Sequence, residues 1–435
     1  MLDEKKLQKL EKSYSSKPEH KVLRRVLYEN DLSTVTKVME RANDNQYQFS
    51  IDIKTLPITD QESTGRCWIF SGLNFLREVT AKKYNLDKFE LSQNYVAFYD
   101  KLEKINYFLE IMDDFLDVDG DDRVLKHLLH NGIQDGGQWQ MLVNVIEKYG
   151  LVPKEAMPET HPSSHTYYLN SLINLRLRKY AGDVRKNKEK KAELKKEALD
   201  ELYSLVVSSL GMPPKEFAFE YVDKDGKYHL DQGLTPKSFY DKYIGVDLDE
   251  YVSMINSPTN DKPYYNLYTI SYLNNVIGGD IIKHLNLPID EFKKAIVKQL
   301  EDGQVVWFGC DCGFFGNRKT GVWDDQTYAI DDVLGLDIEI GKDIMLDYCA
   351  SAMNHAMVIT GVNLVDGKPT KWKIQNSWGD KAGFKGFYLA SDTWFDKFVY
   401  QAVVNKKYLS EKAVKALSKK VITLKPWDPM GTLAR

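Results

Sequence analysis

The stretch Gln61-Glu62-Ser63-Thr64-Gly65-Arg66-Cys67-Trp68-Ile69-Phe70 passes from turn-forming residues into an apolar helix and places a cysteine at the changeover. Ser63, Thr64 and Gly65 are residues that turn the chain and start helices. Beyond them Ile69, Leu73, Leu76 and Val79 recur at intervals of four, three and three, the period of a helix with one buried stripe. Cys67 thus falls in the first turn, where unpaired backbone N–H groups and the positive end of the helix dipole favour a thiolate. A lowered thiol pKa and a nucleophilic sulfur are expected. The commoner role of a free cysteine is a small buried hydrophobe, so the functional reading needs an oxyanion donor and a base. Gln61, six residues upstream, carries an amide suited to the first task.

Two distant segments supply the base. Asn354-His355-Ala356-Met357-Val358-Ile359-Thr360-Gly361-Val362 reads as a polar edge followed by a buried β-branched strand, with His355 at its mouth. Lys371-Trp372-Lys373-Ile374-Gln375 alternates like a half-buried strand and delivers Asn376-Ser377-Trp378-Gly379 at its end. An asparagine carbonyl accepts an imidazole N–H and so fixes tautomer and orientation. Trp378 is placed to keep water from that bond.

Taken in order, Gln61, Cys67-Trp68, His355-Ala356 and Asn376-Ser377-Trp378-Gly379 resemble the four motifs of papain-like cysteine peptidases. The chain departs from that pattern twice. Thr64 stands where the family signature has a cysteine, and His355 follows Cys67 by 288 residues where about 130–150 is usual. Gly65-Arg66-Cys67-Trp68 and the closing Trp427-Asp428-Pro429-Met430-Gly431 are similar to the bleomycin hydrolase and aminopeptidase C branch. The resemblance implies an α+β, papain-like two-lobed fold, with a helical lobe, an antiparallel β lobe and a large, mainly helical insertion between nucleophile and base. It implies peptide substrates, a homohexamer with inward-facing sites, and backbone recognition of an extended peptide by Gly136 and Gly137, with Asn354 and Ala434 also lining the substrate site.

The composition fits an enzyme of a reducing, cytoplasmic setting. Cys67, Cys310, Cys312 and Cys349 are too few for a disulfide framework in 435 residues. The opening Met1-Leu2-Asp3-Glu4-Lys5-Lys6 leads into no apolar leader segment, and no stretch approaches a membrane span. With 59 basic against 63 acidic residues, the net charge of −4 suggests no general basic surface for nucleic acid.

Along the chain five regions are expected: charged helices wrapping the core (1–55), the helical lobe with the nucleophile (56–152), the insertion (153–286), the β lobe (287–406), and a C-terminal helix and arm (407–435). Strands are expected at 304–309, 356–364, 372–375, 386–390 and 398–404. The insertion is marked by ten basic and four acidic residues between Arg176 and Glu197, the pattern of a solvated helical face. Neither metal nor cofactor is called for. Cys310-Asp311-Cys312 lacks the second ligand pair of a zinc site. The acidic run Asp117 to Asp122 has Asp122 and Leu128 where a calcium loop needs Gly and Glu.

A Cys67–His355–Asn376 set with Gln61 as oxyanion donor predicts acyl-enzyme hydrolysis of peptides. Sixty residues before Gln61 are too few for the long inhibitory segment of papain-like precursors. The resemblance implies instead that the C-terminal arm lies in the cleft and that its carboxylate holds the substrate's amino group, giving an aminopeptidase. Here the chain ends Thr432-Leu433-Ala434-Arg435. Removal of Arg435 presents Ala434 as the carboxylate; its retention puts a cation there and favours an endopeptidase. A transglutaminase-like acyltransferase is the more distant alternative.

Overall fold

The computed structural model describes residues 1–434. The strands expected of the β lobe form the middle of one sheet. Val399–Asn405, Val306–Cys310, His355–Val365, Lys368–Gln375 and Phe387–Ser391 lie side by side in that order, each antiparallel to the next. Their β-branched and aromatic residues face a core built around Trp372, Trp394, Phe395 and Ile359.

The sheet runs further than the sequence predicts. Tyr251–Ile255 pairs with Val399–Asn405, and His284–Asn286, Leu267–Ile270 and Ile422–Leu424 follow it outward. The inserted region therefore gives three strands to the sheet besides its long helices Tyr167–Lys186 and Lys191–Leu210. Those strands are three to five residues long and too short for periodicity to reveal.

Against this sheet stands the helix Cys67–Tyr84. It is not the one-striped helix expected, because every residue from Cys67 to Arg77 is buried. One side meets the strand His355–Val365, and the other meets the helices Gln93–Ile111 and Trp139–Tyr149. A Cβ at Gly72 would lie 2.1 Å from Leu142 Cδ2, so the small residue sets the helix separation. Polar residues tolerate this burial because each finds a partner: Ser71 Oγ donates to Cys67 O (2.8 Å), Asn74 Nδ2 to Thr59 Oγ1 (3.0 Å) and Arg77 Nη2 to Pro57 O (2.6 Å).

The N-terminal helices also differ from expectation. Glu4–Ser15 and Pro18–Val26 bury no residue, and Leu7, Leu10, Val22 and Val26 stand exposed, so these helices do not wrap the core. The basic run of the insertion is matched by acids from a neighbouring helical segment, with Lys191 on Asp113 and Lys195 on Glu110, both at 2.9 Å. In the acidic run, Asp122 accepts from Leu125 N (2.9 Å) and caps the helix Arg123–Asn131, while Asp117 pairs with Lys188.

His284 lies wholly inside the sheet, its Nδ1 2.9 Å from Ser253 Oγ, which also accepts from Gln401 Nε2 at 2.8 Å. Burial without a charged partner pushes its pKa down to about 4. Between pH 6.5 and 4 the unfolded chain takes up a proton that the folded chain excludes. Stability present above pH 6.5 is therefore lost as the pH falls through that window, by up to about 3 kcal/mol from this residue. Urea unfolding of His284→Gln is expected to depend less steeply on pH across the window than the wild type; equal slopes would rule this out.

Candidate active site

Helix packing brings the start of Cys67–Tyr84 against the mouth of His355–Val365. The Ala356 N–H donates to Cys67 Sγ at 3.4 Å, which sets the sulfur beside His355. The His355 Nε2–H donates to Asn376 Oδ1 at 2.8 Å, leaving Nδ1 as the free ring nitrogen. Asn376 Oδ1 also accepts from Ser377 N at 2.8 Å, so its orientation is fixed by its own chain. Trp378 stacks on the imidazole with ring centroids 4.6 Å apart, and the Arg318 guanidinium lies 4.0 Å over the indole.

Cys67, His355 and Asn376 are all buried. This reverses the expected direction of the thiol pKa. Burial pushes Cys67 up to about 11, outweighing the N–H groups of Ala356, Trp68 and Cys67 itself, which favour the anion. Burial likewise lowers His355 to about 4; the bond to Asn376 opposes the shift and the Arg318 cation adds to it.

Gln61 is held on both sides. Its Oε1 accepts from Ser377 Oγ and its Nε2 donates to Thr64 O, both at 2.7 Å, which leaves the second amide hydrogen for the cleft. The loop after it is fastened by Asp135, whose Oδ2 accepts from Gly65 N at 3.1 Å and from Thr166 Oγ1. Asp135 Oδ1 accepts from Lys101 Nζ (2.7 Å) and Asn170 Nδ2 (2.9 Å), and its backbone oxygen from Trp68 Nε1 (2.6 Å). Burial opposes its charge, yet Lys101 and these hydrogen bonds hold the carboxyl well below the usual carboxylate range.

The matching family is Peptidase C1-like, over residues 1–431. The chain belongs to it. It is similar to Aminopeptidase C of Listeria innocua, 45% identical over 431 residues that cover 98% of each chain. It is 38% identical to Bleomycin hydrolase of Gallus gallus over 405 residues, 89% of each chain. The crystal structure of PepW from Lactobacillus rhamnosis HN001 covers 99% of each chain with a TM-score of 0.97 and 44% identity. Membership makes this protein a cysteine peptidase and its fold the papain-like α+β fold.

Within this peptidase the C-terminal segment reaches the cleft. Trp427 stacks under Arg123 (3.8 Å), and Asp428 pairs with the buried Lys262 at 3.0 Å. From that anchor Pro429–Ala434 forms a tight turn, with Met430 O accepting from Gln138 Nε2 at 3.2 Å. A Cβ at Gly136 would lie 2.4 Å from Leu433 O and 3.1 Å from Ala434 Cα, so the absent side chain makes room for the tail. Gly137 instead packs on the Trp68 ring. Asn354 has both ends of its amide engaged, accepting from Cys312 N (3.0 Å) and donating to Asp311 Oδ1 (2.6 Å), and its backbone N–H donates to Cys310 O (3.0 Å), which leaves its backbone oxygen for a peptide. Arg435 lies outside the described residues.

Sequence reasoning passed over Asp135, Lys101, Thr166, Asn170 and Arg318. The one available signal was an aspartate directly before the glycine pair; its partners lie from 70 residues before it, at Gly65, to 35 residues after it, at Asn170. Gly137→Ala is expected to lower Tm by several degrees, because its Cβ would lie 2.4 Å from the Trp68 ring. Gly136→Ala is expected to leave Tm nearly unchanged and to raise proteolytic release of the C-terminal residues. A tail equally protected in both proteins would refute the contact.

Proposed function

We propose that this peptidase removes residues from the free amino end of small peptides, with Cys67 as nucleophile, His355 as acid and base, Asn376 as its orienting partner and Gln61 as oxyanion donor. The observation that carries the reading is the convergence of Cys67 Sγ, the His355–Asn376 pair and the backbone of Leu433 and Ala434 on one cleft. The aminopeptidase and hydrolase names of its relatives support it.

Neither charge of a thiolate–imidazolium pair is favoured alone in this dry setting. The attacking thiolate therefore forms by passing the thiol proton to His355 Nδ1, so that each new charge stabilises the other. Attack on the carbonyl carbon places negative charge on its oxygen, within reach of the Gln61 amide and the Cys67 N–H. His355 then protonates the departing amine, and water activated by the same nitrogen hydrolyses the acyl-enzyme. Gly137 and, where the tail ends, Gly136 contribute backbone surface to the substrate, and Asn354 its backbone oxygen, since its N–H donates to Cys310 O.

On this reading the tail limits cleavage to the first residue: it fills the cleft at Gly136, and the carboxylate of Ala434, once Arg435 is removed, pairs with the substrate ammonium. The family resemblance also favours a cytoplasmic homohexamer, and the exposed apolar positions of the two N-terminal helices offer surface for such an assembly.

Cys67→Ala is expected to lower kcat by on the order of 10^4-fold or more. Deleting residues 430–435 is expected to erase a preference of about tenfold or more for free over N-acetylated peptides. Rates on both peptides, with the intact mass of the purified protein to show whether Arg435 is present, test the reading. Wild-type turnover by Cys67→Ala would end the nucleophile assignment; an undiminished preference after the deletion would end the tail assignment.

A further inference from the structure

Arg318 is a cation at the cleft with no carboxylate of its own. It sits at the tip of the hairpin formed by Gly316–Asn317 and Val322–Trp323, where Asn317 Oδ1 accepts from Lys319 N and Thr320 N, each at 3.1 Å. Rings pin that hairpin to the wall of the site: Trp323 stacks on Tyr388 (4.8 Å), and Tyr388 meets Trp378 edge-on (6.0 Å). The guanidinium rests 4.0 Å over Trp378, whose indole also stacks on His355. Other arginines near the nucleophile are paired, Arg66 with Glu159 at 3.1 Å and Arg77 with Glu78 at 3.4 Å. Arg318 forms no ion pair among the described residues and is exposed to the cleft that Gln61, Gly65, Gly136 and Trp378 also line. Of the acids bordering that cleft, Asp135 is committed to Lys101, and Glu62 reaches it from the nucleophile loop.

The direction of a bound peptide follows from the tail. Leu433 and Ala434 occupy the Gly136 side of Cys67, so the part of a substrate that departs after cleavage extends the other way, over Trp378. There an apolar platform adjoins a fixed guanidinium, whose planar fork suits a carboxylate. We propose that Arg318 is a specificity-determining residue that binds a carboxylate on the leaving half of the peptide. The inference rests on the peptidase reading above. Two sources carry the same group: the free C-terminus of a tripeptide, and an acidic side chain two residues beyond the scissile bond.

Two matched pairs separate the sources: Ala-Ala-Ala against its C-terminal amide, and Ala-Ala-Glu-amide against Ala-Ala-Gln-amide. The wild-type kcat/KM is expected to favour the acidic member of at least one pair by about fivefold, with the ratio shrinking as salt is added. In Arg318→Gln the ratio is expected to fall to about one, and in Arg318→Lys to retain part of the difference because charge remains without the fork. Equal wild-type rates within both pairs would overturn the inference. So would a preference that survives Arg318→Gln, or a loss in that variant that lowers both members alike and leaves the ratio unchanged. If the wild type cleaves none of the four peptides, the aminopeptidase reading of the site fails first and takes this inference with it.

Discussion

The helix Cys67–Tyr84 is buried along its first three turns between a helical core and the sheet, and the position of every reactive group follows from that burial. Trp68 is the pivot. Its indole N–H donates to Asp135 O, its backbone oxygen accepts from Trp307 Nε1 of the sheet at 3.2 Å, and Gly137 lies on its ring. Removing a side chain of this size from a packed core costs about 3–5 kcal/mol, and here it would also release the loop that precedes Cys67. The sulfur beside it is thus held by both lobes at once, by its own helix and by the Ala356 N–H.

Dryness is the counterpart of that rigidity. Groups that must carry charge at rest are compensated: Asp135 has Lys101 and three further hydrogen-bond donors to its carboxylate. Cys67 and His355 have no such compensation and are each held toward neutrality by burial, which is why the proposed mechanism raises their charges together. The same carboxylate that fastens the loop before Cys67 also accepts from Thr166 Oγ1 and Asn170 Nδ2, so residues beyond 153 help to hold that loop.

Much of the site was legible because its chemistry requires fixed residue types on simple local structures. A cysteine at a helix start, a histidine at a strand mouth and an asparagine at a strand end stood out in Cys67, His355 and Asn376. The central strands were legible too, since Ala356 to Leu364 is mostly apolar and carries Val358, Ile359, Thr360 and Val362. The short strands within 153–286 were not, because three to five residues cannot show a period. The exposure of the N-terminal helices did not follow from their charged composition, because composition and helical length do not say what a helix packs against, and here nothing within the described chain covers the apolar positions of these two helices. The thiol pKa was misjudged for a related reason: the sequence shows the helix start, whereas desolvation depends on what packs around it.

By itself the sequence determined the family, the α+β fold and the identity of the groups able to form a Cys-His-Asn set, because these follow from local pattern and residue chemistry. Only the tertiary structure decided that Asp135 clamps the loop before Cys67, that the tail rests on Gly136, and that Arg318 stands over Trp378 without an ion-pair partner. Each of those depends on segments 60 or more residues apart in the chain, and charge balance and steric room exist only once the chain has closed on itself.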